Sequence, residues 1–372
     1  MKKTLKYSGV ALLAATLIGV SQFQACSSDP DPVQNGYVEV KDPVVLNTPI
    51  NQKQYIIGDQ MAVSITVNTP EEASEITLWL NDKILQENIK GETQTLNFST
   101  TDFKVGYSNL KLSYKDKTGT LVEDTRQIIF FSDIEPQKNT IVKIEAFPHD
   151  KSSYTQGLEF YEGELYEGTG HYNKSILAKV DLKSGGHLNK VDLESKYFGE
   201  GITILNDTIF QITWNERTCL LYDMEFNEIG QFSYDGEGWG LTNDGEHIIM
   251  TNGSSEIVWR DPATFEVVKT IHAFDNNKEQ VNLNECELIN GRLLINIYTE
   301  TNIVEVDTAT GKVLRTIDCS SLKAEQPAGV DHLNGIAYND ATGKLYLTGK
   351  WWPNLYEVEI DGWDEWQVKV VD

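Results

Sequence analysis

The chain is poor in the residues that usually build metal centres. It has four cysteines and six histidines in 372 residues, with no CxxC spacing and neither an HxH nor an HExxH pattern. These patterns are typical of transition-metal sites, so the sequence gives no support for a bound metal. Apart from Cys26, the cysteines are Cys219, Cys286 and Cys319, which show no obvious pairing. We expect buried thiols, and one disulfide stays open as an alternative in an oxidising compartment.

Basic residues are also scarce relative to acids. Lysine and arginine total 31 against 56 aspartates and glutamates, which gives a formal net charge of −25. Such an acidic surface repels phosphate backbones. Nucleic acid is therefore excluded as an expected partner.

Long apolar runs are missing except near the N-terminus. The run "GVALLAATLIGV" follows three lysines and is too short to span a bilayer as a permanent helix. Ala25 then precedes Cys26 and the polar "SSDPDP", so we predict a lipoprotein signal peptide over residues 1–25 and a linker over residues 26–36. Phe23 matches this signal poorly, and ordinary cleavage nearby is the alternative. Acylation of Cys26 would give an exported protein held by lipid alone on the periplasmic or cell-surface face of the outer membrane.

Residues 37–137 alternate apolar and polar side chains in short runs. Examples are "MAVSITV", "EITLWL", "QTLNFS", "LKLSYKD" and "RQIIFF", separated by turn signals such as "LNDK" and "KDKTG". This pattern predicts a small immunoglobulin-like β-sandwich. We find no catalytic chemistry in it and expect a spacer or docking role.

From residue 138 to residue 372 the strand pattern repeats. Each unit has an apolar strand, a tight turn, a second strand and later strands, and the first core residue of each is Leu158, Ile202, Leu241, Cys286 or Ile336. The forty-odd residues between these positions are typical of one four-stranded propeller blade. We therefore predict an all-β protein with a five-bladed β-propeller, in which the strand "TIVKIEAF" completes the last blade and closes the ring.

Equivalent positions in such a ring would gather polar and aromatic side chains at one end of the central axis. The position two before each core residue holds Gln156, Glu200, Trp239, Asn284 and Asn334, and the end of the second strand holds Gly170, Trp214, Gly253, Tyr298 and Lys350. This set is typical of a pocket for a small molecule or a chain terminus. Alternatively, the asparagines cap turns, the tryptophans pack between blades and Lys350 reaches solvent.

The motifs at these positions resemble a known family. The series "YTQGLEF", "LYEGTG", "FGEGIT", "QITW", "EGWGLT", "LNECELING", "LNGIAY" and "TGKWWP" is similar, in order, to the glutamine cyclotransferases of plant and bacterial type. The resemblance implies a five-bladed propeller that converts an N-terminal glutamine into pyroglutamate and releases ammonia. It implies no zinc, in contrast to the unrelated animal enzymes.

The resemblance also implies roles for individual residues. Glu200 would be the acid/base, which takes a proton from the α-amine and returns it to the leaving ammonia. Catalytic partners that bind substrate or its developing charge would be Lys350, Asn284 and Gln156. The substrate-binding walls would be Tyr154, Phe198, Trp214, Trp239 and Tyr298. Family members commonly carry Phe in place of Tyr154 and Trp in place of Tyr298. Burial should raise the pKa of Glu200, and Lys350 should lower it. The sequence does not show which effect is larger.

Two other functions stay open beside the enzyme. The first is a surface lipoprotein that binds peptide termini without turnover. The second is a glycan-binding propeller, which would need a pair of acids, so that Glu167 or Glu285 would have to lie beside Glu200. For the enzyme we expect no metal and no organic cofactor, and peptides or proteins with N-terminal glutamine as partners. We also expect contact with a membrane only through the lipid anchor, and a monomer.

Overall fold

The structure is a computed structural model that describes residues 41–363. The predicted signal peptide, the linker and Cys26 lie outside the described residues. Among the described residues, no helix is both long and apolar enough to cross a bilayer.

Residues 41–136 contain eight strands in two sheets. The strands are β1 (Val44–Thr48), β2 (Lys53–Ile56), β3 (Gln60–Val67), β4 (Ala73–Leu80), β5 (Lys83–Gln86), β6 (Thr93–Ser99), β7 (Gly106–Asp116) and β8 (Leu121–Phe131), with a 3-10 turn at Pro70–Glu72. One sheet has the order β1-β3-β6 and the other has the order β2-β8-β7-β4-β5. All five of the predicted runs lie within these strands. We call this pair of sheets the N-terminal sandwich.

The sandwich forms because its strands bury alternate side chains. In β3, Met61, Val63 and Ile65 are fully buried, and the residues between them are more exposed. They share one hydrophobic core with Leu78 and Leu110 of the facing sheet. Strand periodicity of two therefore produces a common apolar layer between the sheets.

Residues 137–363 contain the remaining strands and one short helix, α1 (Ser320–Ala324). The strands are β9 (Gln137–Pro148), β10 (Thr155–Tyr161), β11 (Glu164–Thr169), β12 (Ile176–Val180), β13 (His187–Asp192), β14 (Gly199–Leu205), β15 (Thr208–Thr213), β16 (Thr218–Tyr222), β17 (Glu228–Ser233), β18 (Leu241–Asn243), β19 (Ile248–Thr251), β20 (Glu256–Arg260), β21 (Val267–His272), β22 (Leu283–Ile289), β23 (Arg292–Ile297), β24 (Asn302–Val306), β25 (Val313–Asp318), β26 (Leu333–Asn339), β27 (Lys344–Gly349) and β28 (Asn354–Ile360). The predicted all-β class is confirmed.

These strands form repeated antiparallel sheets. Strands β10 to β13, β14 to β17 and β18 to β21 each form a four-stranded sheet in chain order. The last strands form an eight-stranded sheet with the order β22-β23-β24-β25-β9-β28-β27-β26. Each of the five predicted core residues lies in the first strand of a repeat unit.

Strand β9 joins the beginning of the repeat region to its end. It pairs antiparallel with β28, from Pro148 opposite Asn354 to Ile141 opposite Ile360. This confirms the prediction that the strand before the first unit completes the last one. Its first four residues, Gln137 to Thr140, also pair parallel with β25, which the sequence did not predict.

Glycines let the first strands of neighbouring units approach closely. A Cβ added to Gly157, Gly201 or Gly240 would lie 2.3–2.4 Å from a backbone atom of the next first strand. Each of these glycines stands directly before a core residue, and only a residue without a side chain fits there.

The cysteines Cys219, Cys286 and Cys319 are all buried, and all three are free thiols as expected.

Candidate active site

All nine predicted catalytic and wall residues line one cavity. Its volume is about 220 Å³, and the tenth lining residue is His171. The lining residues are Tyr154, Gln156, His171, Phe198, Glu200, Trp214, Trp239, Asn284, Tyr298 and Lys350. They come from every repeat unit, so the cavity exists only because the units close around a common axis.

Local irregularities in the first strands place the polar side chains. The pairing register shifts between Thr155 and Gly157, and again between Gly199 and Ile202. Comparable shifts occur between Leu283 and Cys286 in β22 and between Leu333 and Ile336 in β26. Gln156, Glu200, Asn284 and Asn334 therefore lie in β-bulges. Bulges re-aim side chains and are common beside active sites.

Glu200 is a buried carboxylate, with 4% of the residue exposed. Within the described chain no donor hydrogen-bonds to it, so its charge is not compensated by direct contacts. Burial raises its pKa well above the usual value, against the opposing field of Lys350, and the charges of Glu237 and Glu216 raise it further. Burial therefore has a larger effect on the pKa of Glu200 than Lys350 has, a question that the sequence left open.

Lys350 is also buried, with 2% of the residue exposed, so the alternative in which it reaches solvent is wrong. Its Nζ donates a hydrogen bond to Oε1 of Gln156 and lies 4.7 Å from the ring centre of Tyr154 and 5.1 Å from that of Tyr298. Burial lowers its pKa to about 8, although Glu200 and Asp331 oppose this shift. The side chain is held by an amide oxygen and two aromatic faces.

Gln156 is oriented by two donors on the same oxygen. Asn334 Nδ2 lies 3.2 Å from Gln156 Oε1 and 3.0 Å from the carbonyl oxygen of Thr155. Because Lys350 bonds to that oxygen as well, the Gln156 amide nitrogen is left for other partners. Asn334 is fully buried and does not line the cavity.

Asn284 presents an oxygen that the fold leaves unpartnered. Its Oδ1 is buried and has no hydrogen-bond partner among the described residues. Its backbone oxygen accepts a bond of 2.8 Å from Thr251 Oγ1, which fixes the main chain at this point. The side-chain oxygen is therefore available to accept a hydrogen bond.

The aromatic walls are arranged mainly edge to face. Ring centres lie 5.6 Å apart for Phe198 and Trp214, 5.6 Å for Trp239 and Tyr298, and 6.3 Å for Tyr154 and Phe198. The glycines at the equivalent positions make room for these rings. A Cβ on Gly170 would lie 2.4 Å from Phe198, and one on Gly253 would lie 2.6 Å from Trp239.

Sequence reasoning missed three groups that shape the site. Glu237 Oε2 accepts both indole N–H groups, at 2.8 Å from Trp214 and 3.0 Å from Trp239. His171 stacks on Trp351 with ring centres 5.3 Å apart. Asp331 accepts the Tyr154 hydroxyl at 2.9 Å. The position of Glu237 two residues before Trp239 was a signal that could have been used.

The two acids weighed for a glycan site lie outside the cavity lining. Glu167 accepts hydrogen bonds from His149 at 3.1 Å, Ser153 at 2.9 Å and Thr155 at 2.7 Å. Glu285 accepts the backbone N–H of Ile336 at 2.8 Å. Among the described residues that line the cavity, Glu200 is the single carboxylate. Residues 41–363 also contain no cluster of three or more potential metal-ligating His, Cys, Asp or Glu side chains.

Fold and cavity together define a class: an all-β repeat protein with one buried acid and one buried cation in an aromatic pocket. The model of a family described as "Glutamine cyclotransferase" matches residues 118–360. A glutaminyl-peptide cyclotransferase of Arabidopsis thaliana is 34% identical over 236 residues, which cover 61% of this chain and 73% of that relative. The chain belongs to the glutamine cyclotransferase family.

A solved structure supports the same relationship. The crystal structure of Myxococcus xanthus glutaminyl cyclase matches with a TM-score of 0.58 and 30% identity, over 61% of this chain and 98% of that one. The family match begins at residue 118, so strands β1 to β7 lie before it.

Proposed function

We propose that this chain is a glutaminyl-peptide cyclotransferase that converts N-terminal glutamine of peptides or proteins into pyroglutamate and ammonia. Membership of the family, the Arabidopsis relative and the Myxococcus structure support this activity. One observation locates the proposed activity in the structure: the buried carboxylate of Glu200 and the buried ammonium of Lys350 line the same cavity. A cavity of about 220 Å³ is below the roughly 300–1,000 Å³ typical of drug-sized ligands, so it suits one side chain.

In the proposed reaction, the neutral α-amine attacks the side-chain amide carbon to form a five-membered ring. Intramolecular attack already provides proximity, so the protein must mainly manage protons. Glu200 accepts one proton from the attacking nitrogen and delivers it to the amide nitrogen, after which the C–N bond breaks and ammonia leaves. A raised pKa suits both steps because it makes the carboxylate a stronger base and keeps the proton available for the leaving nitrogen.

The polar groups that line the cavity beside Glu200 have different roles in the proposed reaction. The Lys350 ammonium stabilises negative charge on the former amide oxygen in the tetrahedral intermediate. Asn284 Oδ1, which lacks a partner among the described residues, accepts an N–H of the α-amine. The Gln156 amide nitrogen donates to the substrate, since its oxygen is already occupied by Lys350 and Asn334.

The walls serve to hold the aliphatic part of glutamine and to exclude water. Water would compete with the α-amine and give glutamate instead of the ring. In this proposal Phe198, Trp214 and Trp239 cover the reacting atoms, and Tyr154 and Tyr298 hold Lys350 between their rings.

For the architecture we propose an immunoglobulin-like sandwich over residues 37–137 and a five-bladed β-propeller over residues 138–372. Three four-stranded sheets support three blades, and the eight-stranded sheet is interpreted as two further blades joined through β9. We also propose export with acylation at Cys26, which anchors the chain to a membrane by lipid only. Loss of labelling by a radioactive fatty acid in Cys26→Ser tests this anchor, and equal labelling of both chains would refute it.

The test of activity is ammonia release from a glutamine-initiated dipeptide. Wild-type chain should release ammonia and Glu200→Gln should not, with an unchanged circular dichroism spectrum. A dipeptide beginning with asparagine is the control, since it lacks one methylene and would have to close a four-membered ring. Binding of the glutamine dipeptide without turnover by wild type would favour the non-catalytic lipoprotein.

A further inference from the structure

The N-terminal sandwich rests on a short segment that leads directly into the candidate active site. We call residues 273–282 the crossover segment. It connects β21, the last strand of one sheet, with β22, the first strand of the next unit. Asn284 of the cavity lies two residues beyond its end.

The sandwich holds the crossover segment through buried packing. Phe274 is 1% exposed and belongs to the hydrophobic core of the sandwich rather than to a core of the repeat region. Its ring centre lies 5.5 Å from that of Phe131 and 5.6 Å from that of Tyr107. Ser132 N–H donates to the carbonyl oxygen of Asp275 at 3.1 Å. Phe274 is therefore part of the sandwich core, and Asp275 is bonded to the sandwich through its backbone.

The second half is tied to the sandwich by a carboxylate. The Tyr107 hydroxyl donates to Glu279 Oε2 at 2.7 Å, and the Ser255 hydroxyl donates to Glu279 Oε1 at 2.5 Å. Tyr107 lies in β7 of the sandwich, and Ser255 lies in the turn between β19 and β20 of the repeat region. Glu279 thus joins three separate parts of the chain, with a charge-assisted bond to each neighbour.

The turn that contains Ser255 supports a wall of the cavity. Its Gly253 packs so closely on Trp239 that no Cβ fits between them. Gly253 also exchanges backbone hydrogen bonds with the end of the crossover segment: Asn282 N–H donates to its oxygen at 2.8 Å, and its own N–H donates to Leu283 at 3.1 Å. Asn282 in turn accepts the N–H of Tyr298 at 2.8 Å.

We propose that the N-terminal sandwich positions one side of the active site, with Tyr107 and Glu279 as the positioning residues. The groups set in place are Trp239, Asn284 and Tyr298, all of which border the crossover segment or the Gly253 turn. Gln156 and Glu200, on the other side of the cavity, lie in β10 and β14. These two strands take no part in the contacts described above between the sandwich, the crossover segment and the Gly253 turn. This inference rests on the proposed function, but the structural coupling can be tested without turnover.

The variant Tyr107→Phe in the full chain is the sharpest test. It keeps the aromatic ring against Phe274 and removes only the hydroxyl that holds Glu279. The expected result is a rise of about fivefold in KM for a glutamine dipeptide with kcat changed by less than about twofold, because a displaced wall loses binding contacts. Ser255→Ala removes the other bond to Glu279 and should act in the same direction.

Tyr161→Phe is the matched control. Tyr161 donates an equivalent hydrogen bond of 2.7 Å to Asp207, at the far end of β10 from the cavity. Its KM should equal that of wild type. An unchanged KM in Tyr107→Phe would overturn the proposal, and so would a rise in KM in Ser255→Ala alone, because Glu279 would then act without the sandwich.

Amide hydrogen exchange separates this inference from the activity itself. In Tyr107→Phe, exchange at Gly253, Asn282 and Tyr298 should become faster, while exchange around Glu200 stays as in wild type. Faster exchange in a chain that releases no ammonia would support the coupling and refute the enzyme. Faster exchange confined to the sandwich would refute the coupling, whatever the activity.

Discussion

Lys350 donates a hydrogen bond to Gln156 across 194 residues of sequence, and this bond joins the last repeat unit to the first. The ammonium is consequently fixed in the cavity by a neutral acceptor rather than by an ion pair with Glu200. The acid and the cation are both buried, and the low dielectric constant of a buried site strengthens their interaction.

Lys350→Gln should lower kcat by about 100- to 1,000-fold, the usual effect of removing a group that stabilises an oxyanion. It should also move the acidic limb of the kcat/KM–pH profile to higher pH. Lys350 lowers the pKa of Glu200, so its loss raises that pKa, and the carboxylate form then requires more alkaline solution. Steady-state ammonia release across the pH range measures both effects.

Lys344→Gln provides the control for that change. Lys344 begins β27, the strand that ends at Gly349 just before Lys350, and it pairs with Glu357 at 2.9 Å, outside the cavity lining. Its profile should follow wild type. A Lys350→Gln profile with an unmoved acidic limb would contradict an electrostatic link between Lys350 and Glu200.

Glu237→Gln should move the same limb in the opposite direction, to lower pH. The Glu237 charge raises the pKa of Glu200, and glutamine keeps an oxygen for the two indole N–H groups, so KM should change little. Because Glu237 is exposed, the shift should shrink as salt is added. Glu246→Gln removes an equal charge from a turn at the opposite end of the same unit and should leave the profile unmoved.

Gly157→Ala should destabilise the fold by about 1–3 kcal/mol, the usual range for overpacking a tight site. Its Cβ would lie 2.3 Å from the backbone nitrogen of Ile202, which cannot yield as a flexible side chain could. Gly230→Ala, in the outer strand β17, places its Cβ 3.4 Å from Leu221 and should be close to neutral. Urea unfolding of both variants measures the difference, and equal midpoints would show that the inner strands can separate.

The repeat pattern of the sequence predicted most of the residues that line the cavity, and the family resemblance added Tyr154 and Phe198. In four of the five units a glycine directly precedes the core residue. The residue two before the core residue lines the cavity in four units, as for Gln156 and Glu200. What the sequence did not reveal depends on contacts between distant segments. Tyr107 and Glu279 are 172 residues apart, and neither lies in a repeated motif.

The direction of the Glu200 pKa shift could also be determined only from the structure. Burial and a nearby cation act in opposite directions, and only the finished packing sets their balance. The sequence placed Lys350 near Glu200 without giving its contact with Gln156. Glu167 illustrates the reverse case, since a carboxylate with a suggestive position proved to be fully occupied by His149, Ser153 and Thr155.

The double pairing of β9 has a consequence for biosynthesis. This strand leaves the ribosome well before its partners, because β25 ends at Asp318 and β28 spans Asn354–Ile360. Until translation is nearly complete, both of its edges lack the neighbours they will bond to. An unpaired strand edge is a template for association with other chains, so the nascent protein is exposed to aggregation at that stage.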